Sequence, residues 1–239
     1  MIEKREFSSL GHANHGWLNA RHHFSFAGYH DSARMGWGSL RVWNDDEIAP
    51  KSGFPTHPHQ DMEIITYVRK GAITHRDSMG NEGRTEAGDV QVMSAGTGVQ
   101  HSEFNLEDEE TRLFQIWVIP RTRGDEPRWD TKVFPKGERA GKLEILASGY
   151  EDDVTAGAAM IRADARLYGA TLKAGDSLTH DMQNDMPVYL VVSEGSIEVN
   201  GTTVRARDSA AIRDESRLEI TAHEDAEFLI AETPDIGLQ

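Results

Sequence analysis

Short apolar runs separated by turn residues dominate this chain, and long segments with helical periodicity are scarce. Four of these runs are rich in β-branched and aromatic residues: Glu63–Val68, Leu113–Ile119, Tyr189–Val192 and Phe228–Ala231. Clusters of Gly, Asn and Asp bound them, and Asn200-Gly201 has the composition of a tight hairpin turn that requires positive φ. Many short strands at this spacing predict an all-β sandwich or barrel.

A change in composition near the middle of the chain indicates two domains. Between Pro120 and Gly137 the apolar content drops and prolines recur, as in a linker between two folded halves. We therefore predict an N-terminal domain over residues 1–134 and a C-terminal domain over residues 135–239. Each half has a strand that ends at a glycine, followed by a turn that contains aspartate, which favours two diverged copies of one β unit.

Charge and composition exclude several classes of function. The formal net charge of −15 disfavours a nucleic-acid backbone or an anionic membrane as partner, because either would be repelled. The chain contains no cysteine, which excludes disulfide scaffolds, thiolate-bound zinc, iron–sulfur clusters and thiol nucleophiles. The first residues carry charge where a secretion signal would be apolar, so we expect a soluble cytoplasmic protein that has no membrane span.

Nine of the eleven histidines lie within the first 101 residues, so the chemistry of imidazole belongs mainly to the first half. His57 and His59 would share one face of an extended strand, and His101 and Glu103 repeat this spacing. A single pair of this kind is more often a surface or core feature, but two pairs facing each other would bring together three nitrogens and one oxygen. That set suits a divalent transition metal with positions open for substrate or O2.

The segments around both pairs resemble known motifs. Gly53–Gly71 looks like the first cupin motif and Gly88–Asn105 like the second. Further runs are similar to bacterial proteins of the pirin family: Gly11–Asp31, Met35–Ile48, His75–Asn81 and Met93–Glu103. The resemblance is dense from about residue 11 to residue 120 and thin afterwards.

This resemblance implies a bicupin, in which two β-barrels face each other and only the first holds a metal. It also implies one iron, most simply Fe(II), bound by His57, His59, His101 and Glu103, with Mn, Ni, Cu or Zn as alternatives. Many cupins instead use a carboxylate from the first motif, here Glu63, whereas the pirin pattern favours Glu103. Two barrels in one chain supply the pairing that single cupins obtain by dimerising, so we expect a monomer.

The second half departs from the metal-binding pattern. Counting from the matching glycine turns aligns the four expected ligands with residues that form no metal site: Asp181, Gln183, Ile220 and Ala222. His180 lies near them but is out of register by this count. We therefore expect the second barrel to serve packing or an interface.

Three residues of the first half are candidates for contact with a substrate. Gln115 is the one polar residue of a buried-looking strand, so its amide needs a partner, which could be a substrate, a metal-bound water or the backbone. Trp117 shares its face and could form an aromatic wall or pack in the core, and Met93 could line the pocket or fill the barrel. Five histidines between residues 12 and 30 could cover the barrel mouth, whereas His75 has no predicted partner.

The resemblance implies quercetin 2,3-dioxygenase activity, which opens the central ring of a flavonol with O2 and releases CO. Glu103 could then accept the proton of the substrate hydroxyl. Two alternatives remain open at this stage. One is an iron-dependent, redox-sensing regulatory protein that acts through protein partners, and the other is a different cupin reaction on a small enolisable substrate.

Overall fold

The computed structural model describes residues 1–182 and 186–237, and these residues fold almost entirely into β-strands. Twelve strands precede residue 133: β1 (Ile2–Arg5), β2 (Gly11–Asn14), β3 (Leu18–His22), β4 (Leu40–Ile48), β5 (Ser52–His59), β6 (Glu63–Lys70), β7 (Ala72–Asp77), β8 (Glu82–Glu86), β9 (Val90–Ser94), β10 (Val99–Asn105), β11 (Thr111–Val118) and β12 (Arg128–Lys132). The predicted all-β class is confirmed.

The second half continues the pattern with ten further strands and one short helix, α1 (Glu151–Thr155). The strands are β13 (Glu144–Ser148), β14 (Ala159–Met160), β15 (Arg166–Leu172), β16 (Ser177–Asp181), β17 (Val188–Glu194), β18 (Ser196–Val199), β19 (Thr202–Arg205), β20 (Ser209–Ile212), β21 (Arg217–Ala222) and β22 (Ala226–Glu232). In the part of the chain that the structure describes, no helix is both long and apolar enough to cross a lipid bilayer.

The strands form two barrels, each made of a seven-stranded and a four-stranded sheet. The first barrel contains the sheets β12-β9-β6-β11-β4-β3-β2 and β5-β10-β7-β8. The second contains β1-β20-β17-β22-β15-β13-β14 and β16-β21-β18-β19. The repeated strand order supports the expectation of two copies of one β unit.

The two barrels pack back to back through the outer faces of their seven-stranded sheets. Because side chains alternate along a strand, one set of residues fills the barrel and the next set faces the other barrel. Trp43, Tyr67 and Phe114 of the first barrel share one buried apolar cluster with Tyr189 and Leu229 of the second. This shared core fixes the barrels relative to each other and leaves the interior of the first barrel free for other side chains.

Two strands lie where the composition did not indicate them. β1 pairs with β20, so the start of the chain belongs to a sheet of the second barrel. β12 pairs along β9 of the first barrel, although it lies within the segment whose composition resembles a linker. The domain boundary between residues 134 and 135 stays a prediction.

Candidate metal centre

Strand pairing brings the two predicted pairs of side chains together. In the antiparallel ladder between β5 and β10, His57 lies directly opposite His101, and His59 lies opposite Val99. One ligand nitrogen from each of His57, His59 and His101 lies within 4.8 Å of the other two. The register then shifts after His101, so that Glu103 lies opposite Phe54.

The imidazole of His57 presents a lone pair to this cluster. Its Nδ1 lies 2.7 Å from the carbonyl oxygen of Pro55. A carbonyl oxygen only accepts hydrogen bonds, so Nδ1 carries the hydrogen, and in the neutral imidazole Nε2 has the lone pair. The Nε2 atoms of His57 and His101 are 3.1 Å apart. Three converging imidazole nitrogens fit a transition-metal ion such as iron, nickel or zinc.

Burial keeps two of the histidines neutral. It lowers the pKa of His59 to about 4, with a further contribution from the charge of His57. It lowers the pKa of His101 to about 2, and the neighbouring imidazoles add to this effect. Metal binding requires the neutral imidazole, so both side chains are ready to bind at physiological pH without losing a proton.

Glu103 lies inside the first barrel among polar side chains. Its Oε1 accepts hydrogen bonds from Gln91 Nε2 at 2.5 Å and Thr66 Oγ1 at 3.1 Å, and its Oε2 accepts one from Gln115 Nε2 at 2.8 Å. Burial raises the pKa of Glu103 to about 7, although the three hydrogen bonds oppose the shift. The carboxylate is not part of the group of three histidine nitrogens, so its role as a fourth ligand stays a prediction.

Sequence analysis did not single out Thr66 and Gln91, the residues that hold this carboxylate. Both interrupt an apolar run with one polar side chain, as Gln115 does. The same signal therefore could have identified all three. They are cross-strand neighbours in the order Gln91, Thr66, Gln115.

Glu63, the alternative carboxylate ligand, has other partners. Its Oε2 accepts hydrogen bonds from Ser94 Oγ at 2.7 Å and from the backbone N–H of Arg162 at 3.0 Å. Arg162 belongs to the second half of the chain. Glu63 therefore joins the two barrels in this structure.

A cavity of about 800 Å³ adjoins the histidine cluster. His57, His59 and Gln115 form part of its wall, together with the aromatic residues Trp17, Phe26, Tyr29, Phe54 and Trp117. The N-terminal segment supplies His12, His15 and His22 to the same wall, as expected for residues that cover the barrel mouth. In contrast, His23 is fully buried, and its Nδ1 lies 3.0 Å from the hydroxyl of Tyr189 in the second barrel.

The three candidate substrate-binding residues have different surroundings. Gln115 is bonded by side chains rather than by backbone: Trp117 Nε1 donates to its Oε1 at 3.0 Å, and its own Nε2 donates to Glu103. Trp117 also meets the ring of His59 edge-on, with the ring centroids 4.9 Å apart. Met93 does not line the cavity. It is buried in an apolar cluster and lies opposite Trp129 of β12, because β12 pairs along this part of β9.

The second barrel lacks the row of polar side chains that holds Glu103 in the first. In place of Gln91, Thr66 and Gln115, the corresponding cross-strand row is apolar and fully buried: Ala210, Leu190 and Ile230. Within residues 1–182 and 186–237, the cluster of His57, His59 and His101 is the one group of three or more potential ligands with metal-binding spacing.

Strand pairing corrects the alignment that was obtained by counting residues. Leu218 lies opposite His180, as His101 lies opposite His57, so His180 is in register after all. Ile220 takes the place of Glu103. The count failed because the spacing of equivalent residues differs between the two halves. Ten residues lead from Gln91 to His101 but eight from Ala210 to Leu218, and fourteen lead from His57 to Gly71 but fifteen from His180 to Gly195. Gln183 lies outside the described residues.

Comparisons with known proteins agree with this architecture. The Pirin family model matches residues 3–118, and a model described as quercetinase C-terminal cupin domain matches residues 145–233. A pirin-like protein of Caulobacter vibrioides is 60% identical over 97% of this chain and 99% of its own length. The chain belongs to the pirin family. An Escherichia coli K12 relative of this pirin, named quercetin 2,3-dioxygenase, is 40% identical over 99% of the chain and 100% of its own length.

Solved structures extend the comparison to the fold of this pirin. The crystal structure of the bacterial pirin YhhW of Escherichia coli in complex with nickel(II) superimposes with a TM-score of 0.92 at 39% identity. The match covers 99% of this chain and 100% of that one. The predicted bicupin fold is therefore confirmed, with the candidate metal centre in the first barrel.

Proposed function

We propose that this pirin is a metal-dependent dioxygenase that opens the central ring of flavonols such as quercetin with O2 and releases CO. The main support for the proposal is that His57 and His59 belong to the histidine cluster and also line the cavity with aromatic walls. The name of the Escherichia coli K12 relative supports the same reaction.

The ligands in this proposal are His57, His59, His101 and Glu103, and the proposed native metal is Fe(II). An imidazole-rich set without thiolate suits non-haem iron, and nickel, manganese, copper and zinc are its competitors. When bound, the metal would act as a Lewis acid that holds two neighbouring substrate oxygens and lowers the pKa of the substrate hydroxyl. The 3-hydroxyl and 4-carbonyl groups of a flavonol form such a pair.

Glu103 is the proposed acceptor of the hydroxyl proton. Its pKa of about 7 lies where a carboxylate can take up and release a proton near neutral pH. Gln115 keeps this carboxylate oriented, because its own amide is fixed by the indole N–H of Trp117. In the overall reaction two oxygen atoms enter the substrate, both ring bonds to the hydroxyl-bearing carbon break, and that carbon leaves as CO.

The cavity suits a planar aromatic molecule with peripheral hydroxyl groups. Its volume is in the range of about 300–1,000 Å³ that is usual for sites of small ligands. Trp117 and Phe26 meet edge-on with ring centroids 5.4 Å apart and form one apolar wall. His22 lines the same cavity, and its Nδ1 lies 2.9 Å from Asn44 Oδ1, which leaves Nε2 as an acceptor for a substrate hydroxyl.

The test is O2 uptake with quercetin by full-length protein that has been stripped of metal and reloaded anaerobically with Fe(II). We expect O2 consumption and CO release to match quercetin loss, and the His57→Ala variant, treated in the same way, to show neither. Parallel loading with Mn(II), Ni(II), Cu(II) or Zn(II) identifies the metal that supports turnover. Uptake that is equal in the variant would overturn the proposed site.

Absence of turnover despite one bound metal per chain would overturn the proposed reaction. The same protein would then be tested with other small enolisable substrates. It would also be tested for partner proteins that bind only one oxidation state of the metal.

A further inference from the structure

His75 and Asp77 lie directly behind one of the three clustered histidines. His75 Nδ1 is 3.5 Å from His101 Nδ1, and His75 Nε2 is 2.9 Å from Asp77 Oδ2. The side chains of His75 and Asp77 are both completely buried. The pairing of β7 with β10 produces this contact, because it places Asp77 opposite His101 and His75 opposite Glu103.

The direction of these hydrogen bonds follows from the carboxylate. An ionised carboxylate only accepts hydrogen bonds, so the Nε2 atom of His75 carries the hydrogen in its bond to Asp77. The Nδ1 atom of a neutral His75 then has a lone pair and accepts a hydrogen from Nδ1 of His101. The Nε2 atom of His101 is thereby left with its lone pair directed at His57, 3.1 Å away.

The surroundings hold His75 and Asp77 in place. The ring of His75 stacks on Trp129, with centroids 4.9 Å apart and planes inclined by 10°. Asp77 also accepts hydrogen bonds from the backbone N–H groups of Met79 and Asn81, at 2.9 and 3.0 Å, and from the amide of Asn81 at 2.9 Å. The chain therefore fixes both His75 and Asp77, which together with His101 form a hydrogen-bonded relay.

The second barrel provides an internal comparison. Val199 lies opposite Ile220 there, as His75 lies opposite Glu103 in the first barrel. Where the histidine cluster is absent, the relay is absent too, in the part of the chain that the structure describes. The relay thus accompanies the cluster rather than the cupin fold.

We propose that His75 and Asp77 are positioning residues that hold His101 in the tautomer with hydrogen on Nδ1 and thereby present Nε2 to the metal. The inference rests on the metal site of the proposed function and adds a specific task for residues behind it. Hydrogen-bond partners of metal-binding histidines typically contribute about 10- to 100-fold to metal affinity.

Asp77→Asn is the sharpest test, because it changes the direction of the relay while it keeps the size of the side chain. With the amide oxygen bound to the turn N–H groups, the amide N–H2 replaces Oδ2 and faces His75 Nε2, which must then accept. Asn81, whose amide donates to Oδ2, turns its own oxygen toward the new amide. His75 would carry its hydrogen on Nδ1, facing the Nδ1 hydrogen of His101, and His101 would change tautomer. We expect nickel(II) affinity, measured by chelator competition, to fall at least about 10-fold.

Two substitutions of His75 separate hydrogen bonding from packing. His75→Phe keeps a ring to stack on Trp129 but removes the acceptor, and should weaken nickel(II) binding by about 10- to 100-fold. His75→Asn places an oxygen close to the former Nδ1 position and should restore part of the affinity. Arg76→Ala is the matched control on the same strand, since Arg76 is exposed and contacts Glu82; its nickel(II) affinity should equal that of the unmodified protein.

Side-chain ¹⁵N spectra of the metal-free protein report the tautomer without any turnover. We expect the hydrogen of His101 on Nδ1 in the unmodified protein and on Nε2 in Asp77→Asn. Hydrogen on Nε2 in the unmodified protein, or unchanged nickel(II) affinity in Asp77→Asn and His75→Phe, would overturn the proposal. If His75→Phe does not fold, Asp77→Asn and the spectra decide. Since none of these readouts uses quercetin, failure of the proposed dioxygenase activity is distinguishable from failure of the relay.

Discussion

His57 and His101 face each other across two paired strands, with their Nε2 atoms 3.1 Å apart. In the proposed tautomers both atoms carry lone pairs, and these repel each other at this separation unless a cation or a proton lies near them. Replacing either histidine by a residue without a lone pair should therefore abolish metal binding and relieve a local repulsion in the metal-free protein.

His101→Ala should lose the metal and remain folded, because the shared core of the two barrels does not include His101. Metal content per chain, measured by mass spectrometry after Fe(II) loading, should fall to near zero while the circular dichroism spectrum is unchanged. His223→Ala is the control, since His223 is an exposed histidine of the second barrel. Full occupancy in His101→Ala would refute the ligand assignment.

Glu103→Gln and Glu63→Gln should separate the two candidate carboxylates. Glu103→Gln removes the proposed ligand and should reduce metal affinity. Glu63→Gln should leave the metal affinity unchanged and the protein folded, because both hydrogen bonds of Glu63 go to one oxygen, which glutamine retains. Chelator competition and urea unfolding of both variants are the measurements. The opposite pattern would show that Glu63 is the ligand.

Metal affinity should depend on pH through Glu103. In the metal-free protein the pKa of Glu103 is raised to about 7 by burial, so the carboxyl group is protonated below this pH. A metal ligand must be deprotonated, so affinity should rise with pH up to about 7 and level off above it. The slope below pH 7 should approach about tenfold per pH unit, the limit for one proton. In Glu103→Gln this part of the pH dependence should disappear.

His23 should contribute a loss of stability in mild acid. Complete burial lowers its pKa well below 6.5, and the charges of Arg5 and Arg34 lower it further. The unfolded chain binds a proton near pH 6.5 and the folded chain does not. The contribution of His23 to the free energy of unfolding is therefore constant above that pH and falls below it, by about 1.4 kcal/mol per pH unit for one proton.

His23→Asn should make this pH dependence shallower. The asparagine retains a polar group near Nδ1 for Tyr189 but does not titrate. Urea unfolding at intervals between pH 8 and pH 5 is the measurement. An identical slope in the variant would mean that His23 is not responsible.

Phe26→Ala should weaken substrate binding without affecting the metal. Phe26 contacts the rings of Trp117 and His22 in the cavity wall, with centroids 5.4 and 5.2 Å apart. Loss of this aromatic surface should raise KM for quercetin about 10-fold, which corresponds to about 1.4 kcal/mol. Leu106→Ala, at an exposed apolar residue outside the cavity wall, should leave KM unchanged. An unchanged KM in Phe26→Ala would place the substrate elsewhere.

Local sequence patterns were sufficient for the strands and for the turn at Asn200. Asn200 and Gly201 have φ angles of 43° and 81°, and Val199 pairs with Thr202 across them, as a two-residue hairpin requires. The shared face of His57 and His59 was also predictable, because side chains two residues apart lie on the same side of a strand.

The remaining features depend on which strands become neighbours. Nothing in the composition of Arg128–Lys132 shows that it covers Met93, and nothing near His75 shows that His101 lies behind it. The second barrel was misaligned for the same reason, since the spacing of equivalent residues along the chain differs between the repeats while strand pairing is kept. Contacts of this kind are set by tertiary structure and have no local signal.

The strand Ile2–Arg5 is synthesised long before the strand with which it pairs. Its neighbour, Ser209–Ile212, is translated about 200 residues later, which takes about 10–40 s at roughly 5–20 residues per second. Until then both the nascent strand and the sheet edge that it later completes are unpaired. Two nascent chains on one messenger could exchange these strands in that interval, so slow translation of the second half should increase the fraction of strand-exchanged dimers.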